Sequence, residues 1–185
     1  DHIFSGKTAS CLVNPRACRE TELVFLKTSS PQKIAVVGAG PAGLSMAITA
    51  AERGHVVTVY ESSSEIGGQF NLAKKIPGKQ EFNETLRYYK NQLVKHKVNL
   101  KLNQRVDAAT FINEKFDHIV MATGVKPRVP SIPGIGHPKV ISYIDLLSGR
   151  VVAGKSVAII GAGGIGFDVA EFLSEEDYSL SQNPA

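Results

Sequence analysis

One glycine spacing occurs twice in this chain, and it constrains the fold more than any other feature. The first copy is Gly38-Ala39-Gly40-Pro41-Ala42-Gly43 and the second is Gly161-Ala162-Gly163-Gly164-Ile165-Gly166. Each follows an apolar, strand-like run, Lys33–Val37 and residues 156–160, and each opens a helix-like run. G-x-G-x-x-G carries weight only in that strand–turn–helix context. The pattern predicts an α/β fold: a Rossmann-like domain with a parallel sheet flanked by helices, followed by the truncated start of a second Rossmann-like domain. A βαβ unit takes about 30 residues, and the second copy begins only at Gly161 of 185 residues. Asp1, not Met, opens the chain. The expectation is therefore an internal piece of a longer protein.

The spacing has a chemical purpose. A dinucleotide pyrophosphate is anionic, and a helix N-terminus offers unpaired N–H groups with a partial positive charge. Gly38 allows the tight turn out of the strand, Gly40 lets the backbone approach the phosphates, and Gly43 lets the helix pack close to the strand. Pro41 and Ala42 lie between them at the start of the helix. Glu61 ends the next strand-like run, about twenty residues on, where a carboxylate accepts hydrogen bonds from ribose hydroxyls. Its bland reading is a solvated carboxylate at a strand end; the intact βαβ context favours ribose. Gly161, Gly163, Gly164, Ile165 and Gly166 read the same way for a second dinucleotide. Two such sites in series point to electrons passing from a nicotinamide to a flavin.

Residues 1–32 show no clear period and read as a connecting segment. Residues 33–150 read as the first nucleotide-binding domain and 151–185 as the first β–α unit of the second. Within the first, helix is expected over 41–53, with Gly54 as its left-handed cap, then strand over Val56–Tyr60 and a polar loop over 62–78. Phe82, Leu86, Tyr89 and Leu93 recur at helical spacing, which predicts a helix over 80–97. Strands are expected over 98–102 and 118–122, a proline-rich crossing loop over 127–138, and a short helix over 141–147. Strand over 155–160 and helix over 165–173 complete the reading, with Ile165, Val169, Phe172 and Leu173 as the face that seeks cover.

Charge and cysteine usage narrow the partners. The formal net charge of +4 is spread along the chain, with no nucleic-acid motif, so solubility is the expectation and not a nucleic-acid partner. Residues 34–51 are uncharged, but the glycine turn inside them argues against a membrane helix. Two cysteines make no disulfide framework, and a cytoplasmic protein is expected. The ordinary role of such a cysteine is a small buried hydrophobe.

Gly67-Gly68-Gln69 and Ala122-Thr123-Gly124 are each weak alone. In this order, with both glycine motifs, the set resembles the FAD-binding domain of the two-dinucleotide-fold flavoproteins. The resemblance implies that the first motif holds FAD, with Gly68, Gln69, Val106, Ala122, Thr123 and Gly124 around it. It also implies that the second motif starts an NAD(P)H domain. The runs Cys11-Leu12-Val13-Asn14-Pro15-Arg16-Ala17-Cys18, Glu65-Ile66-Gly67-Gly68-Gln69-Phe70-Asn71, Ile76-Pro77-Gly78-Lys79 and Thr85-Leu86-Arg87-Tyr88-Tyr89 are similar to the bacterial 2,4-dienoyl-CoA reductase (NADPH) / NADH:flavin oxidoreductase family. That resemblance implies a relay from NADPH to FAD, to a [4Fe–4S] cluster, to FMN in a barrel, and on to a dienoyl-CoA. It makes Cys11 the last of four cluster ligands, with the other three upstream, gives Cys18 a structural role, and places the catalytic residues in the barrel. The disulfide-reductase variant of the fold needs a cysteine pair that residues 44–52 and everything beyond Cys18 lack. Two other readings stay open: a trimethylamine-dehydrogenase-like enzyme with ADP in the first site, and a non-catalytic nucleotide-binding module.

Overall fold

The computed structural model describes residues 3–9, 11, 14 and 16–175. Leu12, Val13 and Pro15 of the Cys11 run, and the polar end at 176–185, lie outside the described residues. The chain divides into two compact units: Asp1–Gly68 with Asn83–Gly124, and Gln69–Phe82 with Val125–Ala185.

The first unit is a parallel sheet with helices against it. Its strands are β1 (Lys33–Val37), β2 (Val56–Tyr60), β3 (Asn99–Lys101) and β4 (His118–Met121), in the order β3-β2-β1-β4. All pairings are parallel, with Ala35 opposite Thr58 and Ile119. The order is that of a doubly wound nucleotide fold. β1 and β2 are central, so both faces are covered along most of their length: Ile34–Val36 and Val57–Tyr60 are buried without a break. Ala35, Val36 and Val59 are fully buried.

Helix α1 (Pro41–Glu52) crosses back over β1 and β2. Pro41 at its first position presets the helical φ and lacks only an N–H that would be unpaired there. Leu44, Ala47 and Ile48 form its buried stripe, and the small alanines bring the helix close to the sheet. Gly54, with φ 99°, follows Arg53 and turns the chain into β2. Helix α3 (Phe82–Lys95) adds Tyr89 and Leu93 to the same core. It is two residues shorter at each end than the periodicity predicts: at its start the Phe82 N–H is taken by a turn to the Lys79 carbonyl, and past its end Lys97 takes a left-handed conformation, φ 56°, at the turn into β3.

Two helices lie where the sequence predicts none. α2 (Phe70–Ala73) is a single turn inside the expected polar loop. α4 (Ala108–Glu114) starts at a capping box in which Asp107 accepts from the Thr110 N–H. Tyr60 joins it to the sheet: its ring meets Phe111 edge-on at 5.8 Å, and Lys101 reaches both the Tyr60 hydroxyl (3.4 Å) and Glu114 (3.1 Å). Burial pushes the Tyr60 phenol upward. Strand β4 carries the apolar run Ile119–Val120–Met121 but is not a central strand. It is instead the sheet edge, with Ile119 45% and Met121 67% exposed. With α4 it lines an apolar groove of about 470 Å³ that includes Val37, Val106 and Phe111.

Residues 16–28 pack on the outside of α1. Arg16 lies over the Phe25 ring at 4.8 Å and pairs with Glu52 at 3.6 Å, and the Thr28 N–H donates to the Arg53 carbonyl.

The second unit holds α5 (Tyr143–Leu147), capped by Ser142 accepting from the Asp145 N–H, and α6 (Gly164–Ser174). Leu146, Ala153 and Val169 form its core, with Ile141, Tyr143, Phe172 and Leu173 packed on them. The apolar face of α6 therefore finds cover on α5, although Ile165 stays 53% exposed. The strand expected over 155–160 is not formed. A strand exists only as a paired ladder, and residues 155–160 pair with no strand among the described residues.

Candidate functional site

The carboxyl end of β1 and the start of α1 build the first candidate site. Gly38 has φ 105°, and a Cβ there would lie 2.3 Å from the Ala122 carbonyl oxygen and 3.3 Å from Thr123 Cα. Both the dihedral and the neighbour restrict the position to glycine. A Cβ on Gly43 would lie 2.0 Å from the Gly38 carbonyl oxygen, so the turn closes on itself only without side chains. Gly40 differs: nothing lies within 4 Å of where its Cβ would project. It caps α1 with extended backbone and no side-chain hydrogen bond. That leaves first-turn N–H groups of α1 facing open space, which suits an anion.

Glu61 locks this turn. One carboxylate oxygen accepts from the Ala39 N–H at 2.8 Å, and the other from the Ser63 N–H at 2.8 Å and the Ser62 hydroxyl at 3.2 Å. Partial burial alone would raise its pKa; the donated bonds from Ala39 and Ser63 outweigh that and hold the carboxyl below the usual glutamate range. Its backbone is fixed too, with the N–H donating to Lys101 and the carbonyl accepting from Gln104. A carboxylate accepts about four hydrogen bonds, and three are taken, so the side chain retains capacity for a ribose hydroxyl. The Gly67 N–H donates to the Ala39 carbonyl at 2.8 Å, and Gly68 sits where a Cβ would meet Gly40 Cα at 3.1 Å.

The fold thus gathers Gly38, Gly40, Pro41, Ala42, Gly43, Glu61, Gly68, Ala122 and Thr123 at one sheet end. Val106 lies two residues after Gln104, whose N–H donates to the Glu61 carbonyl. Gly124 is the last residue of the first unit, and Gln69 belongs to the second, where its amide donates to the Val125 carbonyl at 3.3 Å. Sequence reasoning missed Ala39, Ser63 and Gly67, which act through backbone groups. Of these, only Gly67 left a signal, as the first of the Gly67–Gly68 pair.

The second glycine motif repeats the turn. Gly161 has φ 121°, Gly163 caps α6 with extended backbone, and a Cβ on Gly166 would lie 2.1 Å from the Gly161 carbonyl oxygen. A Cβ at Gly161 or at Gly163 would meet nothing within 4 Å.

The cysteines do not follow expectation. Cys11 and Cys18 are both exposed and neither is disulfide-bonded, so neither is a small buried hydrophobe. Arg16, between them, pairs with Glu52 of α1, and none of the described residues of this segment belongs to the core. The Asn14 N–H points at the Cys11 sulfur at 3.4 Å. A four-iron cluster takes four ligands. Among the described residues no three His, Cys, Asp or Glu side chains are gathered for a metal, so the described chain alone does not fit a cluster. No helix among them is long and apolar enough to cross a membrane.

Comparison with known proteins agrees with this geometry. The family described as pyridine nucleotide-disulphide oxidoreductase matches residues 32–179. A metal reductase of Desulforamulus reducens is 41% identical over 95% of this chain and 27% of its own. A cinnamate reductase of Clostridium sporogenes is 34% identical over 91% of this chain and 25% of its own. The solved structure of a 2-naphthoyl-CoA reductase in complex with 2-naphthoyl-CoA superimposes with a TM-score of 0.89 at 39% identity, covering 95% of this chain and 27% of that one. The chain thus spans about a quarter of the length of these relatives.

Proposed function

The chain belongs to the pyridine nucleotide-disulphide oxidoreductase family, and from that premise we propose that it is the FAD-binding electron-transfer portion of an NAD(P)H-dependent flavin oxidoreductase. The observation that carries the reading is the Gly38–Gly43 turn, open at Gly40 and locked from below by Glu61. Its residues fit a dinucleotide. The first turn of α1 binds the pyrophosphate, Glu61 orients the ribose, and Gly68, Val106, Ala122, Thr123 and Gly124 border the cofactor, with Gln69 on the flavin side. Bound FAD would supply two-electron acceptance on one side and one-electron delivery on the other. The Gly161–Gly166 turn is the corresponding start of a nicotinamide nucleotide site. NADPH is the partner we favour there, from the resemblance to dienoyl-CoA reductases.

For the whole protein we propose reduction of an unsaturated CoA thioester, dienoyl-CoA in the first instance. The likeness to a 2-naphthoyl-CoA reductase supports a CoA thioester, and a cinnamate reductase relative supports a double bond conjugated to a carbonyl. The FMN and [4Fe–4S] groups that the resemblance implies would be held largely elsewhere. Cys11 is proposed as one cluster ligand.

Purified protein, denatured and clarified, tests the cofactor. Released FAD, about one per chain, is expected. Released ADP would replace this reading with the trimethylamine-dehydrogenase-like one, and no released nucleotide would favour a non-catalytic module.

A further inference from the structure

Residues Gln69–Phe82 lie in sequence between β2 and α3, both elements of the first unit apart from Phe82. In space they belong to the second unit. The excursion is closed at its base, where the Phe70 and Phe82 rings meet at 4.5 Å between centroids. It has internal structure: α2, a turn in which the Lys79 N–H donates to the Ile76 carbonyl, and an Ile76 side chain that is 1% exposed. Two side chains then tie it to the rest of the second unit. Gln69 donates to the Val125 carbonyl, next to the point where the chain enters that unit a second time. Lys79 Nζ donates to Asp168 Oδ1 at 2.6 Å, across 89 positions of sequence.

Asp168 stands on α6, two residues after Gly166, the last glycine of the second motif. The pair is about one-third exposed on each side. Partly exposed pairs of this kind add little to global stability, so stability alone does not account for it. Geometry does. The far end of the loop grips the helix that carries the second dinucleotide turn. We infer that Lys79 and Asp168 are positioning residues: their ion pair fixes the nicotinamide-binding helix against the 69–82 loop and so holds the bound nicotinamide nucleotide in position for hydride transfer. This rests on the proposed function, in which the second motif binds NAD(P)H.

The mechanism predicts a division between binding and rate. Neither residue touches a nucleotide in this account, so binding should survive their loss. A misplacement of about 1 Å costs on the order of 100-fold in a reaction that depends on alignment. In the full-length protein, Lys79→Met and Asp168→Asn should keep FAD content and change NADPH affinity by less than about twofold. The limiting rate constant for flavin reduction, followed by stopped-flow absorbance at saturating NADPH, should fall about tenfold. The charge-reversed double variant, Lys79→Asp with Asp168→Lys, should recover most of the lost rate. An unchanged rate in both single variants, a loss confined to NADPH affinity, or no recovery in the reversed pair would overturn the inference. If the unsubstituted protein takes no hydride from NADPH or NADH, the functional reading has failed instead. The contact is then judged by hydrogen exchange: both single variants should speed exchange at the amides of residues 70–79, and unchanged exchange would overturn the grip itself.

Discussion

The two glycine turns are near-copies in backbone and unlike in setting. Both open with a left-handed glycine, Gly38 at φ 105° and Gly161 at φ 121°. In both, a Cβ on the third glycine would lie far inside contact distance of the first glycine's carbonyl oxygen, at 2.0 Å for Gly43 and 2.1 Å for Gly166. The first turn has β4 behind it and Glu61 beneath it; a Cβ on Gly38 strikes Ala122, and one on Gly161 meets nothing within 4 Å. Spacing alone therefore shapes the turn, and neighbouring strands convert it into a site. The same contrast holds for the strands that lead in. β1 is paired on both sides, while residues 155–160 pair with no strand among the described residues.

The largest expected effect comes from filling the third glycine. Gly43→Ala forces the backbone apart against a paired strand, and overpacking of this kind costs about 1–3 kcal/mol. For a chain of this size that lowers Tm by roughly 2–12 °C, with FAD lost as the turn opens. Gly166→Ala meets the same local clash with less packed around it, so its Tm should fall less. Thermal unfolding followed by circular dichroism checks both, and a larger loss at Gly166 would break the comparison.

Next comes the lock that the first turn has. Glu61→Ala removes the acceptor for the Ala39 N–H and the proposed ribose partner. Hydrogen bonds to charged groups contribute about 1.5–3 kcal/mol, so FAD affinity by calorimetry should weaken by roughly 10- to 150-fold. The effect should be pH-dependent in the unsubstituted protein. The Glu61 pKa is lowered in the folded state, so its contribution is complete above the ordinary glutamate range and is lost as pH falls through the lowered value. An affinity that strengthens with acid over that window would contradict the lock.

The smallest effect serves as a control outside both turns. Asp107→Ala removes the cap of α4 and should cost about 0.5–2 kcal/mol of stability, with nucleotide affinity unchanged at either turn.

Much of this was legible before the structure. β1 and β2 were readable to the residue, because both are short, mainly β-branched apolar runs, one closed by Gly38 and the other entered after Gly54. The turn was readable because only glycine satisfies Gly38 and Gly43. Helix α4 was not, since Thr110 takes the place of the usual Glu or Gln in its capping box and seven residues show too little period. α2 is one turn long and has no period at all. The exposed edge of β4 was hidden because an apolar run looks alike in a central strand and at an edge. The Glu61 lock was half visible: the carboxylate was readable from its spacing, but its Ala39 and Ser63 partners are backbone groups that no residue identity reveals. The Lys79–Asp168 pair joins residues too far apart for any local pattern.

The central claim is that the first turn holds FAD and the second does not. Gly40→Asp and Gly163→Asp each add one carboxylate at the open position of one turn, where a Cβ meets nothing within 4 Å, so both should fold. FAD content per chain, measured from the absorbance of cofactor released on denaturation, separates them. FAD should be near-stoichiometric in Gly163→Asp and essentially absent from Gly40→Asp; full flavin content in Gly40→Asp, or its loss in Gly163→Asp alone, would overturn the assignment of FAD to the first turn.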